Sequence, residues 1–132
     1  MRHHKFRAWD RNNKRMLQGF ESAYMDIWDG CVYELNGGFD NIDATMDYLY
    51  LYIMEYTNFK DKKNIEIYEG DIVKFYDIHY IEPIIAEVSF NTKLGRWEII
   101  KNLMIKISDL TEEKSRMCEV IGNIYENRRL LK

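Results

Sequence analysis

The sequence predicts an α+β domain that is mainly β: short antiparallel strands with a curved, SH3-like or partly open small barrel, and few short helices. Three observations predict this class. Polar and apolar residues alternate in several short segments, turn residues separate these segments, and only residues 111–114 and 127–131 indicate helical turns. We therefore expect a meander of strands that curls and so removes exposed edges.

Length and composition predict one compact domain over residues 1–132. The chain is 46% hydrophobic and 14% aromatic, which argues against intrinsic disorder. The formal net charge is −3, from 19 Lys and Arg against 22 Asp and Glu, so no global field draws the chain to nucleic acid or to an anionic membrane.

The first segment predicts a hairpin. Residues 5–9 alternate polar and apolar, residues 10–13 supply turn formers, and a second strand follows over residues 14–17. In residues 18–45, glycines and acidic residues leave room only for a short strand around residues 31–35.

Residues 46–56 have period two, with tyrosines on one face and aliphatic residues on the other. This alternation favours a strand that is apolar on both faces. Asp43 or Thr45 as a helix cap leaves a helix open as the alternative.

The second half of the chain has the clearest strand signals. A corner at residues 69–71 precedes a strand, and Pro83 lies in the connection that follows it. Further strands are predicted at residues 72–76, 86–90, 96–101, 103–108 and 119–121, with a hairpin turn at residues 91–95. This meander suggests the SH3-like barrel, a likeness of fold that carries no function.

Three blocks carry a family resemblance: residues 5–10 (KFRAWD), 56–74 (YTNFKDKKNIEIYEGDIVK) and 118–127 (CEVIGNIYEN). With them the chain resembles the YopX family of phage and prophage proteins, from end to end. The resemblance implies a fold and an origin. It does not assign a biochemical activity. The family commonly has glycine where this chain has Asn58 and Asn64, and asparagine is the non-glycine residue that best tolerates a left-handed turn.

The structural signature that the resemblance implies comprises seven residues: Trp9, Asp61, Tyr68, Gly70, Asp71, Gly122 and Asn123.

A binding surface is one interpretation of the aromatic and basic residues. Stacking on aromatic rings beside a cationic rim is typical of single-strand nucleic-acid grooves. Its members would be Tyr48, Tyr50, Tyr52, Tyr56, Lys60, Lys62, Lys63 and Lys74, with Tyr76 and Trp97 nearby. Packing in a core or subunit interface is the favoured alternative, and the segment 60–63 by itself is typical of a solvated turn.

Catalytic and metal sites are weakly indicated. Asp61, Glu69 and Asp71 could form an acid and base pair or a metal site, but capping of a tight corner explains these carboxylates better. Cys31 and Cys118 are too far apart in sequence for a zinc motif or a secreted disulfide framework, and the histidines lack metal-ligand spacing. We expect reduced thiols, no metal and no cofactor.

The function that the sequence favours is that of a phage or prophage accessory protein that acts by binding and not by catalysis. Its partners would be copies of itself or a host or phage protein. Nucleic acid is the alternative partner, and a small metal-dependent hydrolase is a third interpretation. No apolar segment of about 18 residues indicates membrane insertion, and we expect the cytoplasm of the host bacterium.

Overall fold

The computed structural model describes residues 4–11, 13–20, 23–25, 32–34, 51–102 and 105–132. The chain divides into two compact units, Met1–Glu55 (unit 1) and Tyr56–Lys132 (unit 2). That the whole chain is a single domain stays a prediction. In order along the chain, the described strands are β1 (Phe6–Asp10), β2 (Arg15–Phe20), β3 (Ala23–Met25), β4 (Val32–Glu34), β5 (Leu51–Lys60), β6 (Glu66–Tyr68), β7 (Asp71–Phe75), β8 (Ile84–Asn91), β9 (Arg96–Lys101), β10 (Ile105–Asp109) and β11 (Cys118–Asn123).

Unit 1 contains the predicted opening hairpin. Strand β1 pairs antiparallel with β2, and also with β5 from Leu51 to Glu55. The Asp10 carboxylate accepts hydrogen bonds from the Asn13 backbone N–H at 3.2 Å and from its side-chain amide at 2.8 Å, which closes the turn. The hairpin prediction is confirmed.

Residues 18–45 contain more strand than we expected. Strand β4 confirms the predicted short strand, but β2 runs on to Phe20 and β3 pairs antiparallel with β4. Three residues are too few to show a period of two, so the sequence did not indicate β3. This strand is defined by its pairing with β4.

Strand β5 confirms the strand prediction for residues 51–56, where the helix alternative is wrong; residues 46–50 lie outside the described residues. Asn58 and Asn64 both have left-handed backbones, with φ of 69° and 67°. Asn64 lies in the turn after β5, as expected. Asn58 does not lie in a turn: it lies within β5, where the register with β6 shifts between Tyr56 and Lys60, as at a β-bulge.

Unit 2 is built on a five-stranded antiparallel sheet with the order β10, β9, β8, β7, β11. The predicted hairpin between β8 and β9 is present, and Ala86 and Val88 alternate inward as expected. Phe90 packs edge-on against Trp97 at 4.9 Å between ring centroids. The buried cluster on this sheet comprises Ile67, Val73, Phe75, Ala86, Val88, Trp97, Ile99, Leu110 and Cys118.

Helical structure in the described residues is limited to two single turns. Helix α1 (Glu112–Ser115) is capped by Thr111, whose hydroxyl accepts from the Lys114 N–H at 3.2 Å, and a 3-10 turn spans Arg128–Leu131. A curled half-barrel sheet and a second sheet account for most of the structure, which confirms a mainly β fold with a partly open barrel. Among the described residues no helix has the length and apolarity needed to cross a membrane.

Candidate functional site

Asp61 is buried, although we expected a solvated turn at residues 60–63. Its side chain is 4% exposed and lies at the start of the turn between β5 and β6. Oδ1 accepts from the backbone N–H groups of Lys63 at 2.8 Å and Ile65 at 2.9 Å, and Oδ2 accepts from Val120 of β11 at 2.9 Å. One carboxylate therefore closes the turn and attaches it to β11.

The corner between β6 and β7 depends on Gly70 and Asp71. Gly70 has a φ of 83°, which favours glycine, and its N–H donates to the Val88 carbonyl at 2.9 Å. The buried Asp71 carboxylate accepts from the Tyr68 N–H at 2.7 Å. Capping of the corner, the structural alternative for Asp71, agrees with this geometry.

The end of β11 continues the same network. The Asn123 side-chain oxygen accepts from the N–H groups of Tyr125 and Glu126, and the Asn127 side chain accepts from the Asn123 N–H at 3.2 Å. A Cβ on Gly122 would lie 2.5 Å from Asn127 Oδ1, so only glycine leaves room for this cap.

The two aromatic signature residues are core residues of their own units. Trp9 is 8% exposed in unit 1. In unit 2, Tyr68 is 5% exposed and packs on Tyr56, with the ring centroids 5.5 Å apart. Both aromatic signature residues are therefore buried and contribute to packing.

Two of the three carboxylates named for metal or acid–base chemistry accept backbone hydrogen bonds. Asp61 and Asp71 hold backbone amides, and no group of three or more His, Cys, Asp or Glu in the described part of the chain is placed to hold a metal ion. Cys118 is buried, and burial raises the pKa of its thiol to about 12. Cys31 lies outside the described residues.

The structure divides the predicted tyrosine face. Tyr48 and Tyr50 lie outside the described residues. Tyr52, in unit 1, is 39% exposed and has the Arg11 guanidinium 5.0 Å from its ring centroid. Tyr56 is 6% exposed, so its ring has no open face for a ligand without rearrangement.

Three of the predicted lysines lie near the end of β7 and the start of β11. Lys74 lies directly opposite Glu119 in the register of the two strands. Lys63 donates to Glu119 at 3.0 Å, and this hydrogen bond is the largest cause of the lowered pKa of Glu119. The Lys62 ammonium lies 4.0 Å from the centroid of the Tyr76 ring. Lys60, the fourth, is exposed at the end of β5.

The segment between β7 and β8, residues 76–83, is the feature that our sequence interpretation missed; we call it the apolar loop. Large apolar side chains of the loop face solvent: Ile78 is 94% exposed, Ile81 105%, Tyr80 42% and Tyr76 36%. They surround a shallow depression of about 230 Å³. Residues 76–80 (YDIHY) alternate apolar and polar as a strand does, so the sequence pattern did not distinguish this loop from a strand.

Asp77 holds the apolar loop in shape. Its Oδ1 accepts from the His79 N–H at 2.9 Å and contacts His79 Nδ1 at 2.6 Å, and its Oδ2 accepts from Lys114 at 3.2 Å. The backbone hydrogen bond from His79 is the largest cause that lowers the pKa of Asp77 to about 2. The exposed isoleucines thus belong to an anchored loop.

The family model described as "YopX protein" matches residues 5–132. This chain belongs to the YopX family. The YopX resemblance expected from the three sequence blocks is therefore confirmed. No curated protein matches the chain.

Two solved structures of similar fold cover nearly the whole chain. The first is protein EF1440 from Enterococcus faecalis, 25% identical, with a TM-score of 0.60 and coverage of 98% of each chain. The second is protein yopX from Bacillus subtilis, 17% identical, with a TM-score of 0.60 and coverage of 97% of this chain and 98% of the other. The second likeness shows the fold alone.

Proposed function

We propose that this YopX-family chain is a phage or prophage accessory protein that acts by binding, and that its apolar loop binds a second copy of the chain. The observation that carries the proposal is the exposure of Ile78 and Ile81, at 94% and 105%. Contiguous exposed apolar side chains are typical of interaction sites, and their burial in an interface removes them from water.

The chemistry of the loop favours a second copy as its partner. A two-fold interface brings the same surface together twice, so it must be complementary to itself. Glu82 is exposed within the loop, while Lys62 lies on Tyr76 at the loop's first residue. Acid, base and apolar side chains on one surface allow an isologous contact in which the acid of one copy meets the base of the other.

The test is the mass of the protein in solution as a function of concentration, measured by sedimentation equilibrium from about 1 to 200 µM, a range that covers ordinary micromolar affinities. We expect a reversible dimer or larger oligomer for the unmodified chain. Ile78→Asp and Ile81→Asp should each weaken association at least tenfold, because a charge must then be buried without a partner.

Leu94→Asp is the matched control, since Leu94 is 59% exposed at the tip of the hairpin between β8 and β9. It should associate as the unmodified chain does. A monomer at every concentration, or equal association of the Ile78 and Leu94 variants, would refute the proposal.

A specific observation favours nucleic-acid binding as a second candidate. Lys62, Lys63 and Lys74 lie near the partly exposed ring of Tyr76, whereas Glu119 is the carboxylate placed among them. A ring beside excess positive charge suits a stacked base and its phosphate. Against it, Lys62 already covers one face of Tyr76, and Lys63 is paired.

Fluorescence anisotropy with a labelled single-stranded oligonucleotide tests this candidate. Binding should weaken steeply between low and physiological salt, and Lys62→Ala with Lys63→Ala should reduce the salt slope. Lys93→Ala, at an exposed position of the hairpin turn, is the control. Oligonucleotide affinity that does not change with salt concentration, or that the double variant retains, would rule out nucleic-acid binding at this surface.

We propose no catalytic role, and we propose action in the cytoplasm of the host bacterium. Supporting the first point, Asp61 and Asp71 accept backbone hydrogen bonds that fold the turns. Carboxylate oxygens engaged in this way have fewer lone pairs left to hold the metal ion that metal-assisted hydrolysis needs. An assay of phosphodiester hydrolysis with added Mg²⁺ or Mn²⁺ tests whether the protein is catalytic. Turnover by the unmodified chain that is lost in Asp71→Asn would support a metal-dependent hydrolase instead.

A further inference from the structure

We infer that a small polar pocket in unit 2 binds the carboxylate or phosphate group of a small molecule. The pocket has a volume of about 170 Å³. Because one water needs about 10–15 Å³ measured in this way, the pocket has room for a group of several non-hydrogen atoms. Its lining consists of Tyr56, Asn58, Lys60, Asp61, Asn64, Glu112 and Arg116.

Two asparagines give the pocket its amide groups. Asn58 and Asn64 are both held at a positive φ, of 69° and 67°, and both line the same pocket. Glycine meets this backbone demand at no steric cost, so asparagine adds a side-chain amide that the backbone conformation does not need. The Asn58 amide also donates a long hydrogen bond, of 3.5 Å, to the Tyr56 carbonyl. An amide presents N–H donors, which suit an oxyanion.

The positive charge of the pocket comes from Lys60 and Arg116. The Lys60 side chain is exposed at the end of β5, where Glu66 is its neighbour in the register with β6. Arg116 donates to Glu112 at 2.8 Å, but the two side chains are 73% and 68% exposed. Exposed pairs of this kind are weak, so Arg116 can exchange Glu112 for a ligand oxygen.

Asp61 does not exclude an anion from the pocket, although its carboxylate forms part of the wall. Both of its oxygens accept backbone N–H groups, from Lys63, Ile65 and Val120. These hydrogen bonds favour the ionised carboxylate but occupy its acceptor oxygens. The lining therefore has two cations, Lys60 and Arg116, and two acids, Asp61 and Glu112, whose oxygens already accept donors of the chain. The N–H groups of the cations and of the two asparagines are the donors that would hold one oxyanion.

This inference is independent of the apolar loop, because the pocket and the loop share no residue. The test is a nitrogen–proton NMR titration with inorganic phosphate in one arm and sodium acetate in the other. Sodium chloride at equal ionic strength is the reference. We expect saturable shifts of the Asn58 and Asn64 side-chain amides, and the arm with the tighter saturation identifies the phosphate or carboxylate class.

Single-residue variants test which side chains of the pocket bind the anion. Lys60→Gln should weaken binding at least fivefold. Asn64→Gly and Asn58→Gly, which keep the left-handed backbone, should weaken it severalfold. Lys93→Gln is the charge-matched control and should bind unchanged. Shifts that sodium chloride reproduces, shifts that never saturate, or equal binding by the glycine variants would overturn the inference, whether or not Lys60→Gln folds.

Discussion

Replacement of Asp61 by alanine is the most informative stability test, because one buried side chain holds three backbone amides. The variant leaves the N–H groups of Lys63, Ile65 and Val120 without their acceptor. A hydrogen bond to a charged group contributes about 1.5–3 kcal/mol. Since water can enter the exposed turn and such contributions are not additive, we expect a loss of about 3–5 kcal/mol in the free energy of unfolding.

Asp61→Asn separates charge from shape. An asparagine can keep the oxygen that faces Lys63 and Ile65, but its amide nitrogen then faces the Val120 N–H, donor against donor. We expect this variant to lose about 1–3 kcal/mol, less than alanine. Glu113→Ala, an exposed change in α1, should stay within about 0.5 kcal/mol of the unmodified chain.

The assay is urea unfolding followed by tryptophan fluorescence, because the buried Trp97 reports on the core of unit 2. A loss below about 1 kcal/mol for Asp61→Ala, which is the contribution of a single ordinary hydrogen bond, would contradict this expectation. A larger loss for asparagine than for alanine would contradict it too, since the loss would then not follow from the number of missing acceptors.

Three further experiments test other parts of unit 2. Gly122→Ala should lower the stability by about 1–3 kcal/mol, because its Cβ would overlap Asn127; thermal melting measures this, and a melting temperature equal to that of the unmodified chain would contradict the overlap. Asp77 has a pKa lowered from 3.8 to about 2, so its contribution to stability is present above pH 4 and is lost as the pH falls towards 2. Between about pH 4 and pH 2 the urea midpoint should fall less in Asp77→Asn than in the unmodified chain. An equal fall of the midpoint in both proteins would contradict this prediction. The Cys118 thiol, with a pKa of about 12, should react with a thiol reagent at pH 8 only after unfolding; a Cys31→Ser variant isolates it, and rapid labelling of the folded protein would show that the thiol is accessible.

The turns of unit 2 were the most predictable part of the fold. Gly70 and Asn64 belong to residue types that tolerate a left-handed backbone, and both have a positive φ in turns. Asn58 belongs to the same types, yet it lies in a strand. A positive φ is a local property that sequence indicates, whereas a turn and a bulge differ in the pairing of the strand around them.

The candidate sites were less predictable, because burial decides them. The tyrosine alternation of β5 was visible in the sequence, but Tyr56 is buried while Tyr52 is 39% exposed. Likewise, the charged run at residues 60–63 gave no sign that Asp61 lies inside. Periodicity shows which residues share a face, and only the neighbouring strands show whether that face is covered.

By itself the sequence determined the mainly β class, the strands from β7 to β11, the turn residues and the YopX family, because these depend on alternation, on glycine and asparagine, and on motifs contiguous in the chain. The tertiary structure alone decided that Asp61 binds the amide of Val120, 59 positions away, and that the loop at Ile78 and Ile81 remains uncovered. Both depend on which distant segments pack together, and packing is a property of the folded chain as a whole.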